Sequence, residues 1–378
     1  MATVRSFPQL RSVAPMPDAV ALLADPGQLG AWRQGVRQAV LAEVAEFVAA
    51  RCAADLGPCG VDVAAEVLTE FVQGGKCLRS TFMYLGWLCG APPDSAALAA
   101  AASLELLQAF ALLQDDVMDA SPSRRGRPSA HVQFTEWHRR RGRSGSSQKF
   151  GESAAILLGD LCLVWAEQML RDSGVHQGAL GRAWPRYDAM RTELAVGQFA
   201  DVATNLRDLP TMESVLAVAR MKSGNYTVRR PLEIGAAMAD CDDVVLAGLS
   251  EYGAALGEAF QLRDDILGVF GSPTATGKPN GGDLNERKAT SVVVAAYQLA
   301  DASTRRQFGE LINRDRLDAD AVEHWRTLIL ATGSVQFIEE LIDDRVATAR
   351  KALDGRPFDE LALAALIDMT DVCTRRAA

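Results

Sequence analysis

The sequence predicts an all-α protein, a single-domain bundle of about 11–13 helices around a central cavity. Stretches rich in Ala, Leu, Glu, Arg and Gln recur along the 378 residues, and their apolar positions follow steps of three and four. Within residues 243–270, for example, Leu246, Leu249, Leu256 and Phe260 share one helix face. Alternating strands with hairpin turn signals do not occur, which argues against sheet-based classes.

The helical stretches follow one another with short breaks. In chain order they are 31–54, 60–74, 77–90, 94–119, 150–172, 179–203, 211–239, 243–270, 287–301, 303–314, 318–331, 334–353 and 358–376. Residues 1–30 contain four prolines and are predicted to form a loosely ordered arm. The proline- and glycine-rich breaks do not resemble domain linkers, so 31–378 is predicted to be one domain.

The most hydrophobic stretch, roughly 96–113, contains Glu105 and Gln108. A membrane span needs about 18 or more uninterrupted apolar residues, so we expect a buried core helix here and no stable membrane insertion. The first ten residues lack the apolar segment of an export signal. Seven scattered cysteines without C-x-x-C spacing indicate reduced thiols and a cytoplasmic protein. The net charge of −9 argues against nucleic-acid binding.

A first acidic motif, Asp115-Asp116-Val117-Met118-Asp119, ends the stretch 94–119. Asp115 and Asp119 are four residues apart and therefore lie on one helix face, about 6 Å apart along the axis. Paired carboxylates at the end of a buried helix need counter-cations, and Mg²⁺ is a hard ion that binds carboxylate and phosphate oxygens. Arg124 and Arg125 follow, and their guanidinium groups suit bidentate phosphate contacts.

A second acidic motif lies about 150 residues later. Gln261, Asp264, Asp265 and Gly268 fall at i, i+3, i+4 and i+7, again on one helix face. Lys278 follows in a glycine-rich stretch. Two carboxylate clusters that face each other across a helical core would hold a metal–diphosphate complex, so the pattern predicts diphosphate chemistry.

Together with further residues, these motifs make the chain resemble the trans-isoprenyl diphosphate synthases, also called polyprenyl synthetases, from about Gly74 to Thr290. The resemblance rests on an ordered set: Gly74-Gly75-Lys76-Cys77-Leu78-Arg79, Gln108, Asp115-Asp116-x-x-Asp119, Arg124-Arg125-Gly126, Gly197-Gln198-x-x-Asp201, Lys222-Ser223, Phe260-Gln261-x-x-Asp264-Asp265 and Thr276-Gly277-Lys278-Pro279. It implies the isoprenoid synthase fold and a homodimer.

The resemblance also implies an activity, in which an allylic diphosphate ionises and isopentenyl diphosphate attacks the cation head to tail. Asp115, Asp119 and Asp264 would hold about three Mg²⁺ ions, with Mn²⁺ as a substitute. Arg124, Lys222 and Lys278 would contact the allylic diphosphate, and Lys76, Arg79, Gln108 and Arg125 would bind isopentenyl diphosphate. Ser223 and Gln261 are further residues with an implied substrate-binding role. Gln198 and Asp201 either touch substrate or pair within the core.

The chain departs from the usual family pattern at several positions. Cys77 stands where many bacterial members have arginine, and we expect a packed thiol there. Gln108 stands where histidine is frequent, and an amide still donates to phosphate. Gly268 replaces the third aspartate of the second motif, so activity is expected to persist with altered metal affinity.

Product length is expected to depend on the helix that ends in the first motif. Phe110 and Ala111 lie about 7.5 and 6 Å before Asp115 along the axis, where the tail of the growing chain would reach. A bulky residue beside a small one resembles geranylgeranyl-forming members, so the predicted product has 20 carbons.

Alternatives remain open at this point. A farnesyl (C15) or C25 diphosphate synthase would share every motif. A class I terpene cyclase would need an N-D-x-x-S-x-x-x-E-like second site in place of Gln261-x-x-Asp264-Asp265. A silent partner subunit would have less need of both carboxylate clusters.

Overall fold

The computed structural model describes residues 26–204, 206, 209–271, 281–314 and 316–375. Its α-helices are α1 (Leu29–Arg51), α2 (Asp62–Val72), α3 (Leu78–Leu88), α4 (Ser95–Met118), α5 (Ala130–Arg140), α6 (Ser147–Arg171), α7 (Gln177–Ala203), α8 (Met212–Ala219), α9 (Arg230–Met238), α10 (Asp243–Phe270), α11 (Gly282–Asn285), α12 (Ser291–Leu299), α13 (Ala302–Ile312), α14 (Ala319–Ala331), α15 (Ser334–Lys351) and α16 (Glu360–Thr374). The prediction of an all-α fold is confirmed.

Short irregular elements join these helices. A π-helical segment, Arg220–Arg229, connects α8 to α9 without a break, while Pro26–Gln28, Cys52–Leu56 and Gly57–Cys59 form 3₁₀- and π-type turns at the ends of α1. Strands β1 (Ser123–Arg124) and β2 (Arg127–Pro128) pair as a minimal antiparallel hairpin.

Helices α4 and α10 form the centre of the molecule and begin at similar caps. The Asp94 side chain accepts from Ala97 N at 3.0 Å, and the Asp242 side chain accepts from Val245 N at 2.8 Å, which satisfies backbone donors that a helix start leaves free. Helix α4 packs between α3, α1 and α6, and α10 packs against α9, α15 and the π-helical segment. Both acidic motifs therefore lie at the C-terminal ends of central helices.

Two apolar clusters form the core. One surrounds α4 and the N-terminal part of α10, and the other surrounds the end of α10 with α12, α14 and α15. Leu256 belongs to the first and Leu262 to the second. Helix α10 contributes to both clusters and so joins them.

By length and composition alone, α4 and α6 could each cross a membrane. Two thirds of the most apolar window of α4, 67%, is buried inside the protein. The chain thus uses α4 as a core helix, as Glu105 and Gln108 had indicated.

The structure differs from the sequence expectations in two places. The basic run His138–Arg143 reads as a solvated loop, yet its first three residues end α5, a helix that the sequence analysis did not identify. Trp137 stacks on Phe150 of α6 at 5.7 Å between ring centroids, and this contact holds α5 in place. Helix α1 begins at Leu29, inside the predicted arm, whose residues 1–25 lie outside the described part.

Candidate active site

The first acidic motif occupies the last turn of α4, and Asp119 caps the helix. The chain then reverses direction through left-handed residues at Ala120, Arg125 and Gly126, whose φ values are 49°, 53° and 75°. This reversal and the β1–β2 hairpin return Arg124 to the carboxylates that precede it in the sequence.

Arg124 binds two of these carboxylates. Its Nε donates to Asp116 Oδ1 at 2.9 Å, and its Nη2 donates to Asp115 Oδ2 at 3.0 Å. The Asp116 side chain is only 1% exposed. Burial raises the pKa of Asp116, and the Arg124 hydrogen bonds and charge oppose that rise. Asp116 therefore anchors the arginine in the core.

Lys222, from the π-helical segment, reaches the same carboxylates. Its Nζ lies 2.6 Å from Asp201 Oδ2 and 3.5 Å from Asp115 Oδ1. Gln198 Nε2 also donates to Asp115 Oδ1, at 3.3 Å. The structure thus brings Gln198 and Asp201, whose role the sequence left open, to the first motif.

The sequence analysis missed Lys288, which lies after α11. Its Nζ is 2.6 Å from Asp119 Oδ2 and 3.0 Å from Glu286 Oε2. Burial alone would lower the pKa of Lys288, but the carboxylates of Glu286, Asp119 and Asp115 hold it well above its usual value. Lys288 shares no motif with Asp119, from which 169 residues separate it, so only the three-dimensional structure identifies the contact.

In the second motif, the two aspartates have different surroundings. Asp265 is buried, and its Oδ2 accepts from Ser291 N at 2.9 Å and Ser291 Oγ at 2.6 Å. Burial raises the pKa of Asp265, and the hydrogen bonds from Ser291 and Gln261 oppose the rise. Asp264 is half-buried. Asp265 joins α10 to the start of α12, and Asp264 is the better placed of the two for a ligand.

The missing third aspartate of this motif has a local explanation. A Cβ built on Gly268 would lie 1.8 Å from Oδ2 of Asp283, on α11. The space that a side chain at position 268 would need is therefore occupied by another carboxylate.

A cavity of about 170 Å³ lies beside the second motif and reaches the two lysines that contact the first. It is lined by Asp201, Thr204, Pro210, Ser214, Val215, Val218, Ala219, Lys222, Ser223, Gln261, Asp265, Asp283, Lys288, Ala289 and Thr290. Gln261 lines it while donating to Asp265 Oδ1 at 2.8 Å. Lys278 lies outside the described residues.

A second basic group lies around the start of α3. Arg79 donates from Nη2 to Thr227 Oγ1 at 2.9 Å, Lys76 is exposed, and Arg125 approaches Gly75 so closely that a Cβ there would lie 3.0 Å from Arg125 Nη2. Cys77 is buried and left-handed, with φ 50°. Burial raises the pKa of the Cys77 thiol, which agrees with a packed, unreactive side chain.

Gln108, Phe110 and Ala111 lie on α4, ahead of the first acidic motif. Phe110 and Ala111 are half-buried and pack at the edge of the main apolar cluster. Gln108 Oε1 is buried without a hydrogen-bond partner among the described residues. The α4 face thus runs from apolar to acidic towards its C-terminus, which suits a substrate with a hydrocarbon tail and an anionic head.

The side chains of the first motif suit a hard divalent ion, because Asp115 and Asp119 offer carboxylate oxygens. In this structure, lysine and arginine side chains contact those oxygens. Within the described ranges, no three His, Cys, Asp or Glu side chains lie close enough together to hold a metal ion. A metal at Asp115 or Asp119 would compete with Arg124, Lys222 and Lys288 for carboxylate oxygens.

Comparison with known proteins identifies the family. A sequence profile of the polyprenyl synthetases matches residues 61–329. The chain is 33% identical over 299 residues to a geranylgeranyl diphosphate synthase of Mycobacterium tuberculosis, across 78% of this chain and 80% of that protein. It is 30% identical over 289 residues to a geranylfarnesyl diphosphate synthase of Aeropyrum pernix, across 75% and 84% of the two chains.

Solved structures agree with the sequence comparison. A crystal structure of geranylgeranyl pyrophosphate synthase from Corynebacterium glutamicum, complexed with isoprenyl diphosphate and magnesium, superposes with a TM-score of 0.86 at 32% identity, covering 93% of this chain and all of that one. The chain therefore belongs to the polyprenyl synthetase family and is a trans-prenyltransferase that makes a prenyl diphosphate.

Proposed function

We propose that this enzyme condenses isopentenyl diphosphate with allylic diphosphates, in the presence of magnesium, to give geranylgeranyl diphosphate. One observation carries the proposal: Arg124, Lys222 and Lys288 converge on the carboxylates of Asp115 and Asp119, and the two lysines also line the cavity. Such a site offers both the carboxylates that bind metal ions and the cations that bind a diphosphate.

The residues would share the work as follows. Asp115, Asp119 and Asp264 would hold Mg²⁺, which neutralises charge on a departing diphosphate. Lys222 and Lys288 donate to the oxygens of the allylic diphosphate as negative charge develops there, which stabilises the transition state electrostatically. Lys76, Arg79, Gln108 and Arg125 hold the second diphosphate, and the departing diphosphate takes the proton from the condensation product.

The predicted C20 product rests on α4. Phe110 and Ala111 are half-buried one to two turns before Asp115, so the pair of one bulky and one small residue stands where the prenyl tail would pass. Relatives with similar identity include a geranylfarnesyl and a (2E,6E)-farnesyl diphosphate synthase, so C25 and C15 products are the nearest alternatives. A cyclase is disfavoured because the second basic group around Arg79 would have no substrate.

The test is incubation of the purified protein and Mg²⁺ with isopentenyl diphosphate and, separately, C5, C10 and C15 allylic diphosphates. We expect C20 diphosphate as the main product from each primer. A main product of C15 or C25 would contradict the predicted C20 product length but not the synthase activity. A cyclic hydrocarbon would favour the cyclase, and no consumption of isopentenyl diphosphate with any primer would favour the silent subunit.

We also propose that the enzyme is a cytoplasmic homodimer. Large apolar side chains are exposed on α6, with Leu157 at 67% and Val164 at 62%, and on α7, with Phe199 at 79%. Arg191 of α7 and Glu167 of α6 form an ion pair at 2.9 Å that joins the two helices. A second copy of the chain would cover these apolar side chains with its own.

Light scattering should give the mass of a dimer for the wild type and of a monomer for Leu157→Glu. Val244→Glu, which changes an apolar residue that is 54% exposed on α10, is the control and should remain dimeric. A monomeric wild type would reject the homodimer.

A further inference from the structure

The guanidinium of Arg79 is held on two sides by two consecutive residues, the second of which lies 148 positions later in the chain. Its Nη2 donates to Thr227 Oγ1 at 2.9 Å. Its Cζ lies 4.2 Å from the ring centroid of Tyr226. Tyr226 is 2% exposed and Thr227 is fully buried, so water does not compete for either contact, and a desolvated cation–π contact is stronger than an exposed one.

The surroundings of Arg79 are incomplete without a ligand. Arg79 Nε and Gln108 Oε1 are both buried without a hydrogen-bond partner in the part of the chain that the structure describes. Buried polar groups are normally satisfied, because an unpaired donor or acceptor loses its hydration without compensation. A diphosphate with its bound water supplies acceptors for Arg79 and a donor for Gln108.

The contacts to Arg79 come from the π-helical segment that also serves the first acidic motif. Lys222 and Ser223, near its start, line the cavity, while Tyr226 and Thr227 contact Arg79. The segment is fixed against α10, since a Cβ on Gly224 would lie 2.8 Å from the backbone carbon of Gly257. Segments of π-helix frequently lie at functional sites.

We propose that Tyr226 and Thr227 are positioning residues that preset the Arg79 guanidinium for the diphosphate of isopentenyl diphosphate. The π-helical segment thereby serves both substrates. Lys222 and Ser223 contact the allylic diphosphate, whereas Tyr226 and Thr227 hold Arg79, which binds isopentenyl diphosphate. The inference rests on the proposed function. Holding a guanidinium in its bound orientation removes an entropic cost from substrate binding, so its loss should appear in affinity for one substrate only.

The experiment compares Thr227→Val, which removes the hydroxyl at nearly constant volume, with Thr227→Ser, which keeps it. We expect Thr227→Val to raise the KM for isopentenyl diphosphate about tenfold, while kcat and the allylic KM stay within about twofold. Thr227→Ser should match the wild type. Tyr226→Leu should behave like Thr227→Val, and Tyr226→Phe, which keeps the ring, should stay within about threefold.

Thr370→Val changes another fully buried threonine, between α16 and α10, and controls for a loss of stability alone. Equal changes in both KM values, or an unchanged KM for isopentenyl diphosphate in Thr227→Val, would overturn the proposal. If Thr227→Val does not fold, the comparison of Tyr226→Leu with Tyr226→Phe tests the proposal, again by the KM for isopentenyl diphosphate.

Calorimetry of isopentenyl diphosphate binding separates this inference from the proposed function. A wild type that binds isopentenyl diphosphate without turning it over refutes the synthase activity, yet a tenfold loss of that binding in Thr227→Val still supports the positioning role. No binding to the wild type overturns both.

Discussion

At the scale of single residues, Arg124 is expected both to pair with the buried Asp116 and to contact the diphosphate. Its side chain is 16% exposed and contacts an almost fully buried aspartate, so it compensates a buried charge before any substrate arrives. Removing one partner of such a pair leaves the other uncompensated, which is more costly than replacing both.

We therefore expect Arg124→Met to lower the free energy of unfolding by about 3–5 kcal/mol, measured by urea denaturation. The double variant Asp116→Asn/Arg124→Met should recover more than half of that loss, because it no longer buries an unpaired carboxylate. Additive losses would show that Arg124 and Asp116 contribute independently. The double variant should remain inactive, since the arginine would still be missing from the diphosphate site.

Single residues also show which contacts of the site could be predicted from the sequence. Arg124 and Asp115 are nine residues apart, so local turn chemistry was enough to place them together. Lys288, Asp283 and Thr227 contact motif residues from much later in the chain, and no local pattern marks them. From sequence alone, Gly268 was only a missing carboxylate, whereas the structure places the Asp283 side chain in the space beside it.

At the scale of elements, the crossing of α3 and α9 holds the Arg79 region together. A Cβ on Gly235 would lie 1.8 Å from Met83 O, and a Cβ on Gly86 would lie 2.3 Å from Leu232 O. The two backbones thus touch, and no side-chain rotation can make room. Helix α9 continues the π-helical segment and α3 carries Arg79, so this crossing sets the distance between Arg79 and Thr227.

Gly235→Ala is expected to destabilise the protein by roughly 2–3 kcal/mol, because a backbone must shift, and to weaken isopentenyl diphosphate binding with it. Gly309→Ala on α13 is the matched control, since a Cβ there meets nothing within 4 Å. It should be neutral or stabilising by up to about 1 kcal/mol. Equal unfolding free energies for the two variants would contradict the close crossing.

Helix α4 carries the prediction about product length. Ala111→Phe would put a second bulky side chain one turn before Asp115, and Phe110→Ala would remove the first. We expect the main product to shorten to C15 in the former and to exceed C20 in the latter, measured by chromatography of the dephosphorylated products. Product lengths that stay at the wild-type value in both variants would exclude α4 as the determinant.

Sequence predicted the helices better than their irregularities. The helical stretch 211–239 predicted from sequence includes the π-helical segment, and nothing in the apolar spacing marked its different backbone hydrogen bonding. Helix α5 went unrecognised because its basic end reads as a solvated loop, while the Trp137–Phe150 contact that fixes it is a tertiary one.

At the scale of the whole molecule, the acidic motif of α4 is neutralised by lysines from two distant parts of the chain. Lys222 and Lys288 lie 107 and 169 residues beyond their aspartate partners, and the raised pKa of Lys288 keeps it charged at any working pH. A divalent cation at Asp115 and Asp119 competes with these lysines, which keep Asp201 and Glu286 as partners and gain further acceptors when a diphosphate binds. Metal and diphosphate should therefore bind with strong mutual coupling, which linkage makes reciprocal.

We expect the wild type to bind Mg²⁺ weakly alone and at least about tenfold more tightly with inorganic diphosphate, measured by calorimetry. Lys288→Met should bind Mg²⁺ alone more tightly than the wild type, because Asp119 is no longer occupied, and should gain less from diphosphate, because one of its ligands is gone. Lys351→Met changes an exposed lysine on α15 and should behave like the wild type. If Lys288→Met binds Mg²⁺ no better than the wild type without diphosphate, then Lys288 does not compete with the metal, and the coupling between metal and diphosphate must come from their direct contact alone.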